Sequence, residues 1–251
     1  MREQLIIIAR KAGAKILEVY EQDFLVNYKD DRSPLTEADR LSHLCIIEGL
    51  SAIDPNIPIL SEEGMHLTYD ERVKWGKFWL VDPLDGTKEF IKRNGEFTVN
   101  IALIENNYPI IGVIYVPVTD TLYYGEHGKG AIKIKTDSEA QNITVCRPDN
   151  DGVTIVESRS HPSPELESFM QDINQKYSNI NRVSKGSSLK FCAIAEGNAH
   201  LYPRMGPTME WDTAAGQAIV EAAGGYVRWL NGDRVHYNKA ILRNEFFIVE
   251  S

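Results

Sequence analysis

The sequence predicts a protein of mixed α and β structure in which helices and sheets are layered. Two observations support this fold class. The first half places amphipathic helices before a run of strands rich in β-branched residues, and the second half alternates strands with helices, which is typical of an α/β layer. With 251 residues, of which 43% are hydrophobic and 25% charged, the chain can bury a large core.

Two helices open the chain. Apolar residues recur at helical spacing from Leu5 to Val19, so residues 3–21 are predicted to form a surface helix. Thr36, with Asp39 three positions later, is a typical helix start, and it predicts a second helix that ends near Ile53.

A run of strands follows these helices. β-Branched and aromatic residues predict short strands at 57–60, 78–81, 97–104, 110–116, 121–124 and 130–134. Asn106 and Asn107 separate the third strand from the fourth, so these two strands are expected to form a hairpin. The first half is therefore predicted to hold helices followed by an antiparallel meander.

A polar stretch at 136–151, around a short strand predicted at 143–145, indicates a domain boundary. Residues 1–145 are expected to form an N-terminal α+β domain, and residues 146–251 a C-terminal α/β domain. In the second domain, strands are predicted at 153–156, 180–183, 200–202, 226–229 and 246–249, and helices at 164–177, 188–196 and 211–223.

Charge and composition disfavour several classes of protein. A net charge of −9 argues against a nucleic-acid polymer as partner, which requires a basic surface. The sequence has no apolar run of the roughly 18 residues that a membrane span needs and no recognisable signal peptide, so we expect a cytoplasmic protein without integral membrane association. The cysteines, Cys45, Cys146 and Cys192, are widely scattered and fit reduced thiols.

The segment 79–90 is the most informative part of the chain. An apolar strand ends at Asp82, and Asp85 follows three residues later across a turn that contains Pro83 and closes with Gly86. Two carboxylates held this close repel each other unless they are protonated or bridged by a cation, and oxygen ligands of this kind suit Mg²⁺. For this motif alone, a polar turn that caps a helix is the alternative.

Further carboxylates occupy predicted strand ends and helix starts, namely Glu62, Glu63, Asp39 and Asp212. Taken singly, an Asp at a helix start is favoured by the helix dipole without any function, and a Glu pair before glycine is often a solvated turn. Such positions are also where the binding sites of mixed sheets are built, because helix N-termini attract anions such as phosphate.

Together these motifs resemble the lithium-sensitive, Mg²⁺-dependent phosphatase superfamily, which includes inositol monophosphatases, fructose-1,6-bisphosphatases and bisphosphate nucleotidases. The matching segments are 36–39, 62–63, 79–90 and 211–216, in the order that the family shows. The resemblance implies a layered αβαβα sandwich. Segments 88–100 and 186–192 are similar to the CysQ-type 3′(2′),5′-bisphosphate nucleotidases of bacteria, whereas inositol monophosphatases usually carry T-T-N-F-V-H where this chain has T-K-E-F-I-K.

The resemblance implies two metal sites, with most of their ligands in the first domain. Glu62, Asp82 and the Leu84 carbonyl would hold a first Mg²⁺. Asp82, Asp85 and Asp212 would hold a second, and some family members bind a third ion near Glu62. Two such ions can stabilise both the attacking and the leaving oxygen of a phosphate ester. Li⁺ is expected to inhibit by replacing the second Mg²⁺.

The same resemblance implies catalytic roles for Asp39 and Thr87. In the family, the equivalents of these residues orient and deprotonate the attacking water. We therefore expect Asp39 to act as general base through the Thr87 hydroxyl. Thr36 is expected to cap the second helix instead.

The implied reaction converts adenosine 3′,5′-bisphosphate to AMP and phosphate, with 3′-phosphoadenylyl sulfate as a further substrate, and it clears a by-product of sulfate assimilation. A helix start rich in hydroxyls, together with Lys190 and Arg204, is expected to grip the second phosphate. The implied substrate-binding residues are Glu62, Asp82, Leu84, Asp85, Gly86, Thr87, His161, Ser187, Ser188, Lys190, Arg204 and Asp212.

Two alternatives to this reading stay open at the level of the sequence. One is an inositol monophosphatase or a sugar bisphosphatase with the same chemistry. The other is a non-catalytic binding protein on the same scaffold, although none of the implied metal carboxylates is missing. Some relatives associate peripherally with the inner membrane, but no basic amphipathic helix in this chain favours that.

Overall fold

The computed structural model describes residues 1–22, 25–28, 34–65, 67–136, 138–149, 152–158 and 164–251. Within these residues the helices are α1 (Arg2–Tyr20), α2 (Glu37–Ile53), α3 (Tyr69–Arg72), α4 (Thr87–Ile91), α5 (Pro164–Lys176), α6 (Leu189–Ala195) and α7 (Glu210–Ala222). The strands are β1 (Val26–Tyr28), β2 (Pro34–Thr36), β3 (Ile59–Ser61), β4 (Lys77–Asp85), β5 (Thr98–Glu105), β6 (Tyr108–Val116), β7 (Thr121–Glu126), β8 (Gly130–Lys135), β9 (Gln141–Ile143), β10 (Gly152–Ser158), β11 (Asn179–Lys185), β12 (Leu201–Arg204), β13 (Tyr226–Trp229) and β14 (Phe247–Glu250). None of the described helices has both the length and the apolar character needed to cross a bilayer.

The elements form five layers in the order αβαβα, which confirms the predicted fold class. Helices α1 and α2 cover one face of a seven-stranded sheet with the strand order β3-β4-β5-β6-β7-β8-β9, and α7 lies on its other face beside α6. A five-stranded sheet, ordered β11-β10-β12-β14-β13, packs against the far side of α6 and α7. Helix α5 covers the outer face of this smaller sheet, and β1 pairs separately with β2.

Each pair of sheet and helix layers encloses an apolar core. The core between the larger sheet and helices α1 and α2 includes Ile16, Leu50 and Trp79. The core between the two sheets includes Phe191, Ile219 and Val249. The core between the smaller sheet and α5 includes Leu166, Met170 and Ile155. Side chains alternate along a strand, so neighbouring residues of β10 serve different cores. Ile155 packs beneath α5, whereas Val156 belongs to the core between the sheets.

The predicted domain boundary near residue 145 stays a prediction. The core between the two sheets contains side chains from both halves of the chain, with Leu80 and Ile114 from the first and Phe191 and Ile219 from the second. The two halves therefore share apolar surface around the helices that separate the sheets.

Most predicted elements lie within about two residues of their predicted bounds, and the antiparallel meander is confirmed from β4 to β9. The smaller sheet is mixed, because β10 pairs in parallel with β11 and β12, while β14 pairs antiparallel with β12 and β13. The sequence prediction lacks α3, α4, β1 and β2. Each of these elements is three to five residues long, which is too short to show a hydrophobic period.

Strand β4 differs from its prediction. It does not end at Val81 but continues to Asp85, and its pairing with β5 shifts register between Asp82 and Asp85. Such an irregularity suits Pro83, because proline has no N–H to donate to a regular ladder. The two carboxylates are therefore presented by a distorted strand end and not by a separate turn.

Helix α7 contacts the seven-stranded sheet through backbone atoms. A Cβ atom at Gly112 would lie 2.3 Å from the carbonyl oxygen of Ala215, and one at Gly125 would lie 2.6 Å from Cα of Ile219. The absence of a side chain at these two glycines lets the helix backbone rest on the sheet. This contact fixes the helix whose first turn carries Asp212.

We expect Gly112→Ala to destabilise the protein by about 2 kcal/mol, because overpacking a core costs about 1–3 kcal/mol and the neighbour here is helix backbone. Gly76→Ala is the control, since nothing lies within 4 Å of a Cβ atom at that position. Chemical denaturation of both variants and the parent protein measures the difference. Equal unfolding midpoints for the two variants would contradict the close contact of α7 with the sheet.

Candidate active site

A cavity of about 340 Å³ opens beside the distorted end of β4 and the first turn of α7. Most of the predicted substrate-binding residues line it, namely Glu62, Asp82, Leu84, Asp85, Gly86, Thr87, Ser187, Lys190, Arg204 and Asp212. Ser188 is buried and is not part of the cavity wall. His161 lies outside the described residues, so its predicted position stays a prediction.

Three carboxylates converge in this cavity. Asp82, Asp85 and Asp212 each offer an oxygen atom, and these atoms lie within 4.8 Å of one another. Burial raises the pKa of Asp82 well above its ordinary value, and the charges of Glu62, Asp85 and Asp212 raise it further. Burial, followed by the charges of Asp85 and Glu62, also raises the pKa of Asp212. Hard oxygen ligands that repel one another fit a divalent cation, which would neutralise them.

The local sequence fixes the end of β4. The Leu84 N–H donates to Asp82 Oδ1 at 3.0 Å, and the Ser42 hydroxyl of α2 donates to the Pro83 carbonyl at 2.7 Å. Gly86 has a φ of 93°, in the left-handed region that glycine adopts readily, and it leads directly into α4. A Cβ atom there would also lie 3.2 Å from Cβ of Ser187. This turn therefore requires glycine both for its backbone angle and for the approach of the neighbouring chain.

Asp85 is oriented by residues from β5 and from the turn that precedes α6. The hydroxyls of Ser187 and Ser188 donate to Asp85 Oδ2 at 2.6 and 2.8 Å, and Asn100 Nδ2 lies 3.4 Å from the same oxygen. The Ser188 hydroxyl is also 3.0 Å from the Asp212 carbonyl. In the structure both hydroxyls bond a carboxylate of the cluster, and the predicted contact of these two serines with the substrate stays a prediction.

Asp212 is held at the start of α7 by the helix backbone. Its Oδ2 atom accepts a hydrogen bond at 2.8 Å from the N–H of Met209, the residue before the helix, as the third helical residue does in a capping box. The negative charge also lies where the helix dipole favours it. Asp212 therefore keeps a fixed orientation beside Asp82 and Asp85, although these residues are far apart in the chain.

Asp39 and Thr87 lie within reach of each other. Asp39 Oδ1 is 3.4 Å from the Thr87 hydroxyl, and Asp39 Oδ2 accepts hydrogen bonds from the N–H and hydroxyl of Thr36 at 2.8 and 2.7 Å. Thr36 is the N-cap residue of α2, and its own N–H is satisfied by the carboxylate of Asp39, as in a capping box. Burial raises the pKa of Asp39 to about 6, the bonds from Thr36 oppose this rise, and the charges of Glu63 and Glu62 add to it. A carboxyl with a pKa close to neutral pH is suited to accept a proton.

Lys190 and Arg204 bring positive charge to the same cavity. Lys190 is buried and donates to the Ser187 carbonyl at 2.6 Å, and burial lowers its pKa to about 8. Arg204 Nη2 donates to the Pro207 carbonyl at 2.8 Å. Its Nε atom is buried and has no hydrogen-bond partner among the described residues. Cations beside a carboxylate cluster suit an anionic ligand that a metal also contacts.

Two residues that support the site, Thr98 and Asn100, were not singled out by sequence reasoning. The Thr98 hydroxyl is 2.7 Å from that of Ser187, and Asn100 Nδ2 donates to the Ser188 hydroxyl at 2.9 Å. Both residues are almost completely buried within β5. Polar residues inside an otherwise apolar strand were the available signal, because buried polar side chains need partners.

The inositol monophosphatase family model matches residues 1–246 of this chain. The chain belongs to the inositol monophosphatase family. Among curated members, it is 48% identical over 240 residues to the 3′(2′),5′-bisphosphate nucleotidase CysQ of Salmonella typhimurium, a match that covers 94% of both chains. It is 46% identical to the CysQ of Escherichia coli K12, again over 240 residues and 94% of both chains.

Solved structures of the family have the same fold. The CysQ of Bacteroides thetaiotaomicron, described as a bacterial member of this family, superposes with a TM-score of 0.86 at 46% identity, covering 97% of this chain and 94% of that one. The extragenic suppressor protein suhB of Bartonella henselae gives a TM-score of 0.80 at 26% identity, covering 100% and 93%. The family resemblance read from the four sequence motifs is thereby confirmed.

Proposed function

We propose that this chain is a metal-dependent phosphomonoesterase that hydrolyses adenosine 3′,5′-bisphosphate to AMP and phosphate, and also accepts 3′-phosphoadenylyl sulfate. The observation that carries the proposal is the 48% identity, over nearly the whole chain, to a 3′(2′),5′-bisphosphate nucleotidase. The cavity supports the proposal, because its wall contains both a carboxylate cluster suited to cations and the positive groups of Lys190 and Arg204. A substrate with two phosphates matches both features.

The metal in this proposal is Mg²⁺, which prefers carboxylate and carbonyl oxygens. Glu62, Asp82 and the Leu84 carbonyl would hold one ion. Asp82, Asp85 and Asp212 would hold a second, where Li⁺ would compete, and a third ion near Glu62 belongs to the same proposal. When bound, such ions neutralise the phosphate and lower the pKa of the attacking water.

The protein's own groups position the reactants and move a proton. Asp39 accepts the proton of the attacking water through the Thr87 hydroxyl, at the 3.4 Å separation seen between these side chains. The water oxygen forms a bond to phosphorus, and the bond from phosphorus to the ribose 3′ oxygen breaks. That oxygen takes up a proton from solvent water and leaves as the 3′ hydroxyl.

The second phosphate of the substrate is bound by Lys190 and Arg204 in this proposal. The buried Nε of Arg204, which has no partner among the described residues, is a suitable donor. Ser187 lines the cavity and joins Ser188 in orienting Asp85, so these serines contribute mainly through that carboxylate. His161 is retained as a candidate contact on the basis of the family resemblance.

Phosphate release from purified protein tests the proposal. After treatment with EDTA we expect no turnover of adenosine 3′,5′-bisphosphate, recovery on adding Mg²⁺, and inhibition by millimolar Li⁺. Inositol 1-phosphate should be at least about tenfold worse in kcat/KM, because it forgoes charge-assisted contacts of about 1.5 kcal/mol or more to the second phosphate. Faster turnover of inositol 1-phosphate would favour the inositol monophosphatase alternative.

A further inference from the structure

Glu210, the first residue of α7, is a fully buried carboxylate that lies two residues before Asp212. Its Oε2 atom accepts a hydrogen bond from the Asn238 N–H at 2.7 Å. Its Oε1 atom accepts from the Lys239 N–H at 2.9 Å and from Lys239 Nζ at 2.6 Å. A buried charge is tolerated only when partners of this kind replace its water, so the carboxylate ties the start of α7 firmly to the segment 238–239.

The segment 238–239 is itself anchored to the first half of the chain. Arg72, which is almost completely buried, donates to Asn238 Oδ1 at 2.9 Å and to the Ala240 carbonyl at 3.0 Å. Asn238 Nδ2 donates back to the Arg72 carbonyl at 2.8 Å. Arg72 ends α3, which directly precedes β4, the strand of Asp82 and Asp85. A continuous set of hydrogen bonds therefore connects the start of α7 to α3, and the short segment 73–76 joins α3 to β4.

We propose that Glu210 is a positioning residue for metal binding, which holds Asp212 at the correct separation from Asp82 and Asp85. The glycine contacts on β6 and β7 fix the body of α7 against the sheet, whereas Glu210 fixes its first turn to the segment 238–239, which Arg72 of α3 anchors. Loss of an outer partner that bonds a ligand directly typically costs 10–100-fold in metal affinity, and Glu210, which acts through the helix start, is expected at the lower end of that range. The inference rests on the proposed metal site.

The test measures Mn²⁺ binding to metal-free protein by electron paramagnetic resonance of the free ion, independently of turnover. Glu210→Gln keeps the shape of the side chain but places an amide N–H₂ against N–H donors. We expect its Mn²⁺ dissociation constant to rise about tenfold. Glu221→Gln is the matched control, because Glu221 lies at the other end of α7 and pairs there with Arg234 at 2.6 Å. It should leave Mn²⁺ affinity within about twofold of the parent.

A simple loss of negative charge near the cations would also weaken binding, and a double variant separates the two causes. Glu210→Gln combined with Lys239→Met restores the parent's net charge, since one negative and one positive group are removed. If Glu210 acts by positioning Asp212, the Mn²⁺ affinity of the double variant should stay about tenfold weaker than that of the parent. Recovery of the parent's affinity, or an unchanged affinity in Glu210→Gln alone, would overturn the inference.

Two further variants test the proposed metal site separately and provide a replacement for Glu210→Gln. Asp212→Asn should lower Mn²⁺ affinity more than Glu210→Gln, and an unchanged affinity there would refute the proposed metal site itself and not only the role of Glu210.

If Glu210→Gln does not fold, Asn238→Gly replaces it. Glycine accepts the φ of 64° at this position and keeps the backbone N–H to Glu210, while the bonds to Arg72 are lost. It should weaken Mn²⁺ binding measurably, and parent-like binding would count against the anchored network.

Discussion

Replacing Asp82 with Asn should lower kcat/KM by more than about 100-fold, while raising the melting temperature of the metal-free protein. The loss follows because Asp82 is proposed to contact both metal ions, and even outer partners of metal ligands are worth about 10–100-fold in affinity. The melting temperature of the metal-free protein should rise because Asp82 is buried beside Glu62, Asp85 and Asp212, whose charges oppose its ionisation. A neutral amide of the same shape removes this repulsion, and each kcal/mol relieved corresponds to about 2–4 °C.

Asp120→Asn is the control for this substitution. Asp120 accepts a hydrogen bond from the Tyr115 hydroxyl at 2.9 Å and lies 3.3 Å from Arg10, on the side of the larger sheet that α1 covers. Its φ of 38° is tolerated by asparagine. We expect parent-like turnover and no rise in melting temperature. Phosphate release with Mg²⁺ measures turnover, and thermal unfolding in EDTA measures the melting temperature. Activity near the parent's in Asp82→Asn would remove Asp82 from the metal site.

The fold could be predicted because its long elements carry clear signals. Helices α1 and α2 show a helical period, and the meander strands are rich in β-branched residues. What the pattern misses is the distortion of β4, where strand pairing resumes at Asp85 beyond Pro83. A proline normally marks the end of a strand, so only the pairing partner Thr98 on β5 reveals that the strand continues.

The candidate site could be predicted in part, and the limit is physical. Asp82 and Asp85 are three residues apart, so their proximity follows from local geometry alone. The approach of Asp212 depends on how α7 packs across the sheet, and sequence reasoning reached it only through the family resemblance. The bonds from the Ser187 and Ser188 hydroxyls to Asp85 were not predicted, because an isolated helix start does not reveal that a carboxylate lies 2.6 Å away.

Glu210 illustrates the same limit more sharply. In the sequence it is one acidic residue in the first turn of a helix, where the dipole favours negative charge in any case. Its burial and its three hydrogen bonds arise from the segment 238–239, which returns to α7 after β13. Long-range partners of this kind leave no local trace in composition or period.

Replacing Asp39 with Asn should lower kcat about 10²–10⁴-fold while Mn²⁺ affinity stays within about twofold of the parent, because general base catalysis contributes in that range and Asp39 is outside the carboxylate cluster. Asn keeps an oxygen that can accept the capping bonds from Thr36, so the helix start should survive. Asp54→Asn, at the opposite end of α2, is the matched control and should turn over substrate normally. Rapid-quench kinetics on the Mg²⁺-loaded variants, with Mn²⁺ titrations alongside, separates the two effects. A fall in metal affinity large enough to explain the lost rate would make Asp39 part of the metal site and not the base.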